Sequence, residues 1–191
     1  MRKFGLASLA FFYCDFRADQ KKYLRGLISS LLVQLCRQSD SYCDMLSDFY
    51  LEHAEGSRHP SDDALVGCLK GLLELPRQAP VYLVLDALDE CSNTSALPSP
   101  RAGMLNLLEK LIESQISNLR ICVTSQPDID IKDVLDPLIF RSVSLQDESG
   151  QKKDIGDYIK LVINTHPQNR GWKAEHKQLA IDALAEKADG M

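Results

Sequence analysis

Residues 81–90 read Val-Tyr-Leu-Val-Leu-Asp-Ala-Leu-Asp-Glu, and this segment carries the strongest indication of the fold. The five residues from Val81 to Leu85 are all apolar. An uninterrupted apolar run of this length predicts a strand that is buried on both faces, as in a parallel sheet covered by helices. Pro80 precedes the run and a polar segment follows it, so the strand has clear limits.

Acidic residues follow this strand at its carboxyl end. Asp86 ends the apolar run, and Asp89 and Glu90 come just after it. In open α/β sheets, ligands bind beyond the carboxyl ends of the strands. A hydrated Mg²⁺ ion prefers oxygen ligands and is usually held by one or two carboxylates. The pattern therefore predicts a magnesium site, whereas the structural alternative is a buried strand that ends in an ordinary acidic turn.

Length and composition narrow the class of protein. The chain has 191 residues, of which 45% are hydrophobic and 26% charged, as in a globular domain with a sizeable core. The net charge of -5 offers no general footprint for nucleic acid. No stretch is long enough to span a membrane. Six cysteines without a C-x-x-C pair favour reduced thiols, and we expect a cytoplasmic protein.

Strands and helices alternate along the rest of the sequence. Apolar residues at helical spacing predict amphipathic helices between the strands, and Ser61 is the expected N-cap of one of them. The repeating β-α order predicts an α/β fold with a mainly parallel sheet and helices on both faces. Besides the strand at 81–85, strands are predicted at Leu9–Phe16, Leu119–Thr124 and Phe140–Leu145.

Two motifs together resemble a known family. Val81–Glu90 resembles the Walker B segment of P-loop NTPases, and the NACHT branch in particular. Leu119–Pro127 resembles the sensor strand of the same proteins, with Thr124 and Ser125 in the expected places. Gln126 stands where the family usually has an arginine. The closest group is the NACHT-type NTPase domain of large fungal NOD-like proteins, also described as a nephrocystin-like N-terminal domain.

The resemblance implies a fold and a function. The fold is a three-layer P-loop sandwich with strand order five, one, four, three, two. Residues 1–147 would form the nucleotide-binding core, and residues 148–191 the start of a helical subdomain. The family acts as a nucleotide-dependent switch that binds ATP or GTP with Mg²⁺ and assembles with protein partners or with itself.

The resemblance also implies roles for individual residues. Asp86 would hold the metal, and Asp89 or Glu90 would orient the attacking water as the catalytic residues. Thr124 or Ser125 would bind the nucleotide by sensing its γ-phosphate.

The phosphate-binding loop of this family has no counterpart in the sequence. That loop reads G-x-x-x-x-G-K-[ST], and no Gly-Lys dipeptide occurs in the chain. In the family the loop precedes the strand predicted at Leu9–Phe16, so we expect a truncated core without strand 1. The chain alone would then bind no cofactor efficiently, and the strand at Leu119–Thr124 would be an exposed apolar edge.

Two other functions remain open from the sequence. One is a non-catalytic protein-interaction or scaffold module, in which the acids have no chemical role. The other is a metal-dependent nuclease or phosphatase, although no further cluster of His or acidic residues supplies a second metal site. We expect protein partners or self-assembly, and we expect no nucleic-acid or membrane partner.

Overall fold

The chain forms two compact units, Met1–Ile139 and Phe140–Met191, which are described separately. The computed structural model describes residues 6–15, 17, 23–53, 56–76, 78–93, 99–144 and 149–187. In the first unit the elements are β1 (Ser8–Tyr13), α1 (Leu24–Cys36), α2 (Asp40–Glu52), α3 (Asp62–Leu73), β2 (Val81–Asp86), α4 (Pro100–Glu113), β3 (Leu119–Val123) and α5 (Ile129–Leu135). In the second unit they are α6 (Ser149–Thr165) and α7 (Ala174–Lys187).

The three strands described form one parallel sheet in the order β1-β2-β3. Tyr13 lies opposite Asp86, and Leu85 lies opposite Val123. The carboxyl ends of all three strands therefore meet at one edge of the sheet, as the sequence predicts. The α/β class and the parallel sheet are confirmed.

The helices of the first unit cover one face of this sheet. Successive strands are added in one direction, and right-handed crossovers then place every connecting helix on the same side. Ala10, Leu83 and Ile121 form one inward row across the strands. The apolar stripes of the helices pack against this face, and their buried residues are Leu27, Ile28, Leu31, Leu32, Leu35, Leu65, Cys68, Leu69, Leu72, Leu73, Met104, Leu105, Leu107, Leu108 and Leu111.

The other face of the sheet is uncovered by the residues described in the first unit. Leu9, Phe11, Tyr13 and Tyr82 are all exposed, with 53% of Tyr13 and 43% of Tyr82 accessible to solvent. The prediction of helices on both faces, with β2 buried on both, is therefore wrong for the described residues. Apolar side chains on both faces of a strand permit helices to pack on both faces of the sheet. A helix reaches the second face only when a crossover connection adds a strand in the opposite direction along the sheet.

The two edges of the sheet differ. Gln34 of α1 bonds both backbone groups of Phe11, donating from Nε2 to the carbonyl at 2.7 Å and accepting the N–H at 3.1 Å. Gln38 bonds Leu9 in the same way, at 2.8 and 3.0 Å. The outer edge of β1 is thus closed by side-chain amides. By contrast, β3 pairs only with β2 among the described residues, which confirms the exposed edge expected for this strand.

The start of α3 follows the sequence closely. Ser61 is the N-cap, and its hydroxyl accepts the Ala64 N–H at 3.1 Å. Asp62 and Asp63 lie in the first turn, where their charges stabilise the positive end of the helix dipole. The predicted N-cap is confirmed.

One strand predicted in the second unit is absent from its described residues. Residues 140–144 adopt no regular structure, so the strand predicted at Phe140–Leu145 is wrong there, and Leu145 lies outside the described residues. A segment rich in β-forming residues becomes a strand only beside a partner strand. In this unit α6 and α7 pack together and bury Ile163 and Ile181. Across the described residues, no helix combines the length and the apolarity needed to cross a bilayer.

Candidate functional site

The carboxyl ends of β2 and β3 are joined through one threonine. Thr124 follows β3, and its hydroxyl donates a hydrogen bond to Oδ1 of Asp86, the last residue of β2. The same hydroxyl oxygen accepts the Ala87 N–H at 3.0 Å. The backbone of Thr124 is fixed as well, because its N–H donates to Leu85 at 2.9 Å and its carbonyl accepts from Leu88 at 2.9 Å. Asp86 and Thr124 thus form one hydrogen-bonded pair.

The other two predicted acids lie in a tight turn after β2. Ala87 takes the left-handed backbone conformation, with φ of 55°, and a single turn of 3-10 helix follows at Leu88–Glu90. This reversal brings Asp89 back toward the loop that follows β3. There its Oδ1 accepts the backbone N–H of Gln126 at 2.9 Å. Glu90 is half-buried at the end of the turn.

Asp86 points toward the uncovered face of the sheet. Side chains alternate between the two faces of a strand, so Asp86 shares a face with Tyr82 and, across the pair, with Tyr13. Both tyrosines are exposed, whereas Asp86 is half-buried. The carboxylate therefore lies where the uncovered face reaches the carboxyl end of the strands.

A buried arginine holds the loops around these acids. Arg101, in the first turn of α4, is only 8% exposed. It donates to the backbone carbonyls of Asp89 and, at 3.0 Å, Cys91. Its Nη1 also reaches the carboxylates of Asp128 at 2.8 Å and Asp130 at 3.1 Å. One guanidinium therefore ties the turn after β2 to the segment after β3.

Two thiols lie buried beneath the acidic turn. Cys14 and Cys91 are 4% and 1% exposed. Interaction with the Cys91 thiol raises the pKa of Cys14, an effect that burial reinforces, and interaction with the Cys14 thiol lowers the pKa of Cys91. The Cys91 sulfur also lies 3.2 Å from the Met104 sulfur. The floor of the site is therefore a packed group of sulfur atoms.

The family described as nephrocystin 3, N-terminal, matches residues 2–126 of the chain. The chain belongs to this family. The match covers well over half of the sequence and contains all five residues that the sequence analysis assigns to a site. No curated protein and no solved structure matches the chain.

Within this nephrocystin 3 N-terminal domain, the predicted residues converge only in part. Asp86 and Thr124 are in contact, and Asp89 contacts the loop after β3 through the Gln126 backbone. Ser125 is exposed beside Thr124 and forms no side-chain hydrogen bond with a described residue. The contact of Asp89 with this loop is made by a main-chain N–H, so it does not depend on which side chain stands at position 126.

The donor set of the domain can be tested against a Mg²⁺ ion. Among the described residues, no group of three or more His, Cys, Asp or Glu side chains is arranged to hold a metal. A fully protein-made cage is therefore not present in this part of the chain. Mg²⁺ commonly binds through one carboxylate, with waters and substrate phosphates as its other ligands. The half-buried Asp86 fits that arrangement, because only its Oδ1 is bonded to Thr124.

Arg101 is the site residue that the sequence analysis missed. A cation in the first turn lies at the positive end of a helix dipole, where its charge is disfavoured. Such a placement calls for compensating acids nearby, and Asp128 and Asp130 supply them. The sequence did contain a signal for this residue: an arginine directly follows Pro100, where a helix begins, and an acidic segment lies later in the chain.

Proposed function

We propose that this domain carries the metal-binding and phosphate-sensing side of a NACHT-like nucleotide-dependent switch. The observation that supports it best is the bond between Thr124 and Asp86, which joins a candidate sensor to a candidate metal ligand. In P-loop NTPases the Walker B Asp helps to hold the Mg²⁺ ion that contacts the nucleotide phosphates. Asp86 and Thr124 belong here to adjacent parallel strands and lie at the carboxyl ends, where α/β sheets bind ligands.

Each site residue has a proposed role toward ATP or GTP. Asp86 is the ligand for Mg²⁺, and Asp89 or Glu90 orients the attacking water. Thr124 or Ser125 senses the γ-phosphate. A bound Mg²⁺ supplies charge neutralisation on the phosphate oxygens. The bond from Thr124 holds Asp86 in one position, so the carboxylate is oriented before a metal binds.

Binding by the chain alone is proposed to be inefficient. The sequence has no Gly-Lys dipeptide, so no loop of the P-loop type can cradle phosphates. Asp86 lies on the uncovered sheet face, and the neighbouring strand β3 has an open edge among the described residues. This face and this edge are suited to receive a further helix and strand. We propose that residues 1–147 form the NACHT-like core of a cytoplasmic protein and that residues 148–191 belong to a helical subdomain.

A chimaera tests these roles directly. A strand, G-x-x-x-x-G-K-[ST] loop and helix from an intact family member would be joined ahead of Ser8. Binding of a fluorescent ATP analogue would then be titrated with and without Mg²⁺. We expect Mg²⁺-dependent binding that weakens by about tenfold or more in Asp86→Asn, a loss of about 1.4 kcal/mol. The unmodified chain is the matched control and should show no saturable binding.

Two results would overturn the proposal. A correctly folded chimaera whose Mg²⁺-dependent affinity is the same with Asp86→Asn would remove Asp86 from the metal site. Mg²⁺-dependent binding by the unmodified chain, lost in Asp86→Asn, would show that phosphates are held without a P-loop.

A second candidate function is a non-catalytic interaction module. The observation that favours it is the uncovered sheet face, on which Phe11 and Tyr13 contact each other with ring centres 5.4 Å apart. Contiguous exposed apolar surface commonly marks a protein-binding site. If this face binds protein, Tyr82→Lys should weaken self-association measured by light scattering against concentration. Tyr50→Lys, on an exposed part of α2, is the matched control.

A further inference from the structure

Strand β3 presents backbone groups without partners along its outer side. Successive residues of a strand direct their N–H and C=O groups to opposite sides. The Asn118 carbonyl accepts a hydrogen bond from β2 at 2.9 Å, and the Thr124 N–H donates one to β2 at 2.9 Å. The even-numbered residues of this segment therefore pair with β2. It follows that Leu119, Ile121 and Val123 direct their backbone groups outward.

Local contacts close one end of this outer side. The Leu119 N–H donates to the Ile116 carbonyl at 3.0 Å. The Leu119 carbonyl accepts from Nη1 of Arg120 at 2.7 Å. The backbone groups of Ile121 and Val123 that point outward form no hydrogen bond with a described residue. Within β3, the outer side thus offers one N–H and one C=O from each of these two residues.

We propose that a second copy of this chain binds at this strand, with its own β3 antiparallel to the first and with twofold symmetry through Cys122. Ile121 of each copy then lies opposite Val123 of the other, and each opposite pair exchanges two N–H···O bonds. All the free outward groups of both strands are used. A centre at Ile121 would instead require Leu119, which is already bonded within its own copy. A centre at Val123 would require bonds from residues beyond the end of β3.

Side-chain charges on the uncovered face support the same register. Arg120 is exposed, and among the described residues it donates only to backbone carbonyls. In the proposed pair it lies opposite Thr124 of the second copy, and Thr124 is bonded to Asp86. The Asp86 Cα of the second copy is then about 10 Å from the Arg120 Cα, which is two strand spacings. A cation of each copy therefore faces the acidic strand end of the other, which favours a second copy over a strand of unrelated sequence.

The hydrogen bonds of this interface need neither nucleotide nor metal. They come from the backbones of Ile121 and Val123, which have no role in the proposed nucleotide chemistry. A strand joined ahead of Ser8 in the chimaera would compete for the same side of β3. The unmodified chain without nucleotide therefore tests this interface, and the result does not depend on whether Asp86 binds Mg²⁺.

The position of Cys122 provides a test of the register. Cys122 is exposed, and it would lie opposite Cys122 of the second copy as a non-hydrogen-bonded pair with Cα atoms about 4.5 Å apart. A disulfide spans that distance. Oxidation of the unmodified chain with diamide, followed by alkylation and peptide mass mapping, should give an intermolecular Cys122–Cys122 disulfide. Cys43 is also exposed and should form no such link with itself, which controls for random collision.

Sedimentation equilibrium of the reduced chain measures the association without a crosslink. We expect a dimer that Cys122→Ser retains. Cys122→Lys should raise the dimer dissociation constant by about tenfold or more, because like charges directly opposite each other on antiparallel strands are destabilising. Tyr82→Lys adds the same charge to the same face one strand further in, and it should leave that constant unchanged. Far-UV circular dichroism checks that each variant stays folded.

Three results would overturn the proposal. The first is a reduced, unmodified chain that sediments as a monomer up to its solubility limit. The second is a dimer that yields no Cys122–Cys122 disulfide on oxidation, since its interface would then lie elsewhere. The third is a dimer that Tyr82→Lys weakens as much as Cys122→Lys does, which would assign the contact to the uncovered sheet face. If Cys122→Lys fails to fold, the disulfide mapping of the unmodified chain still decides.

Discussion

The Thr124 hydroxyl bonds the Asp86 carboxylate across the β2–β3 pair while it accepts the Ala87 N–H. One hydroxyl group therefore acts as donor and acceptor between two strand ends. Deleting it leaves a half-buried carboxylate and a backbone N–H without their partner. The site thus depends on the side chain of Thr124, whereas the sequence alone did not distinguish the role of Thr124 from that of Ser125.

Thr124→Val should lower the free energy of unfolding by about 1 kcal/mol, the usual worth of such a bond. Thr124→Ser keeps the hydroxyl and should lose much less. Urea unfolding measures both values, and hydrogen exchange of the Ala87 amide should accelerate only in the valine variant. Equal losses in the two variants would show that the methyl group of Thr124, and not its hydroxyl, stabilises the strand ends.

Arg101→Met should lower the free energy of unfolding by about 2–3 kcal/mol, because two backbone carbonyls lose a charged donor in a buried place. The acids Asp128 and Asp130 are partly exposed, so their share of this loss is small. Urea unfolding is the measurement. Most of the expected loss in unfolding free energy comes from the buried hydrogen bonds between the guanidinium and the two carbonyls, and less of it comes from the ion pairs.

A matched variant separates these two contributions. Arg25 also bonds a carboxylate, Asp62 at 2.7 Å, and a carbonyl, that of Pro60 at 2.7 Å, but its side chain is exposed. Arg25→Met should therefore cost less than about 1 kcal/mol. If Arg25→Met and Arg101→Met lowered the free energy of unfolding by similar amounts, burial of the Arg101 hydrogen bonds would not explain the effect of Arg101→Met.

Ala87→Gly should raise the free energy of unfolding by about 0.5–1 kcal/mol. The left-handed conformation, with φ of 55°, costs an alanine about 1–2 kcal/mol, and glycine adopts it without that cost. Ala102→Gly in the exposed part of α4 is the control and should lower stability by about 0.5–1 kcal/mol. Opposite signs in urea unfolding support the strained turn, whereas a loss in both variants argues against it.

Ionisation of the Tyr42 hydroxyl should make the stability of the protein depend on pH in the alkaline range. Burial raises its pKa above the ordinary 10.0, and contact with Ser8 offsets only part of that rise. The unfolded chain therefore ionises Tyr42 first. The stability that the neutral form contributes is complete below about pH 10 and is lost as pH rises through the higher folded-state pKa.

Tyr42→Phe should remove that part of the alkaline loss. The hydroxyl finds no well-aligned hydrogen-bond partner among the described residues, so stability at neutral pH should stay equal or rise slightly. Unfolding free energies at neutral and alkaline pH, compared between wild type and variant, give the result. Tyr50→Phe, at an exposed position, should retain the wild-type profile. A large loss at neutral pH in Tyr42→Phe would show that the hydroxyl is stabilised.

Sequence reasoning located the elements that have a strong local pattern. The apolar run before Asp86 and the leucine stripe of α1 are each decided within a few residues, so strand and helix follow from periodicity. The sequence placed Asp86 and Thr124 each at the carboxyl end of a predicted strand, whereas the hydrogen bond between them is known only from the structure.

Features that depend on distant partners could not be predicted in this way. Tyr82 is apolar enough to be buried, but its exposure depends on the direction of the crossovers. Residues 140–144 have a strand-like composition, but no strand among the described residues pairs with them. Arg101 contacts residues up to 29 positions away, and only the fold brings them together.

The glutamine-closed edge of β1 limits how this sheet can grow. Gln34 and Gln38 occupy the hydrogen-bonding groups on one side, so β3 offers the only edge open to another strand in the described part of the chain. Two copies that pair β3 with β3 about a twofold axis would use both open edges. Edge pairing then stops at a closed dimer and cannot continue into a fibre.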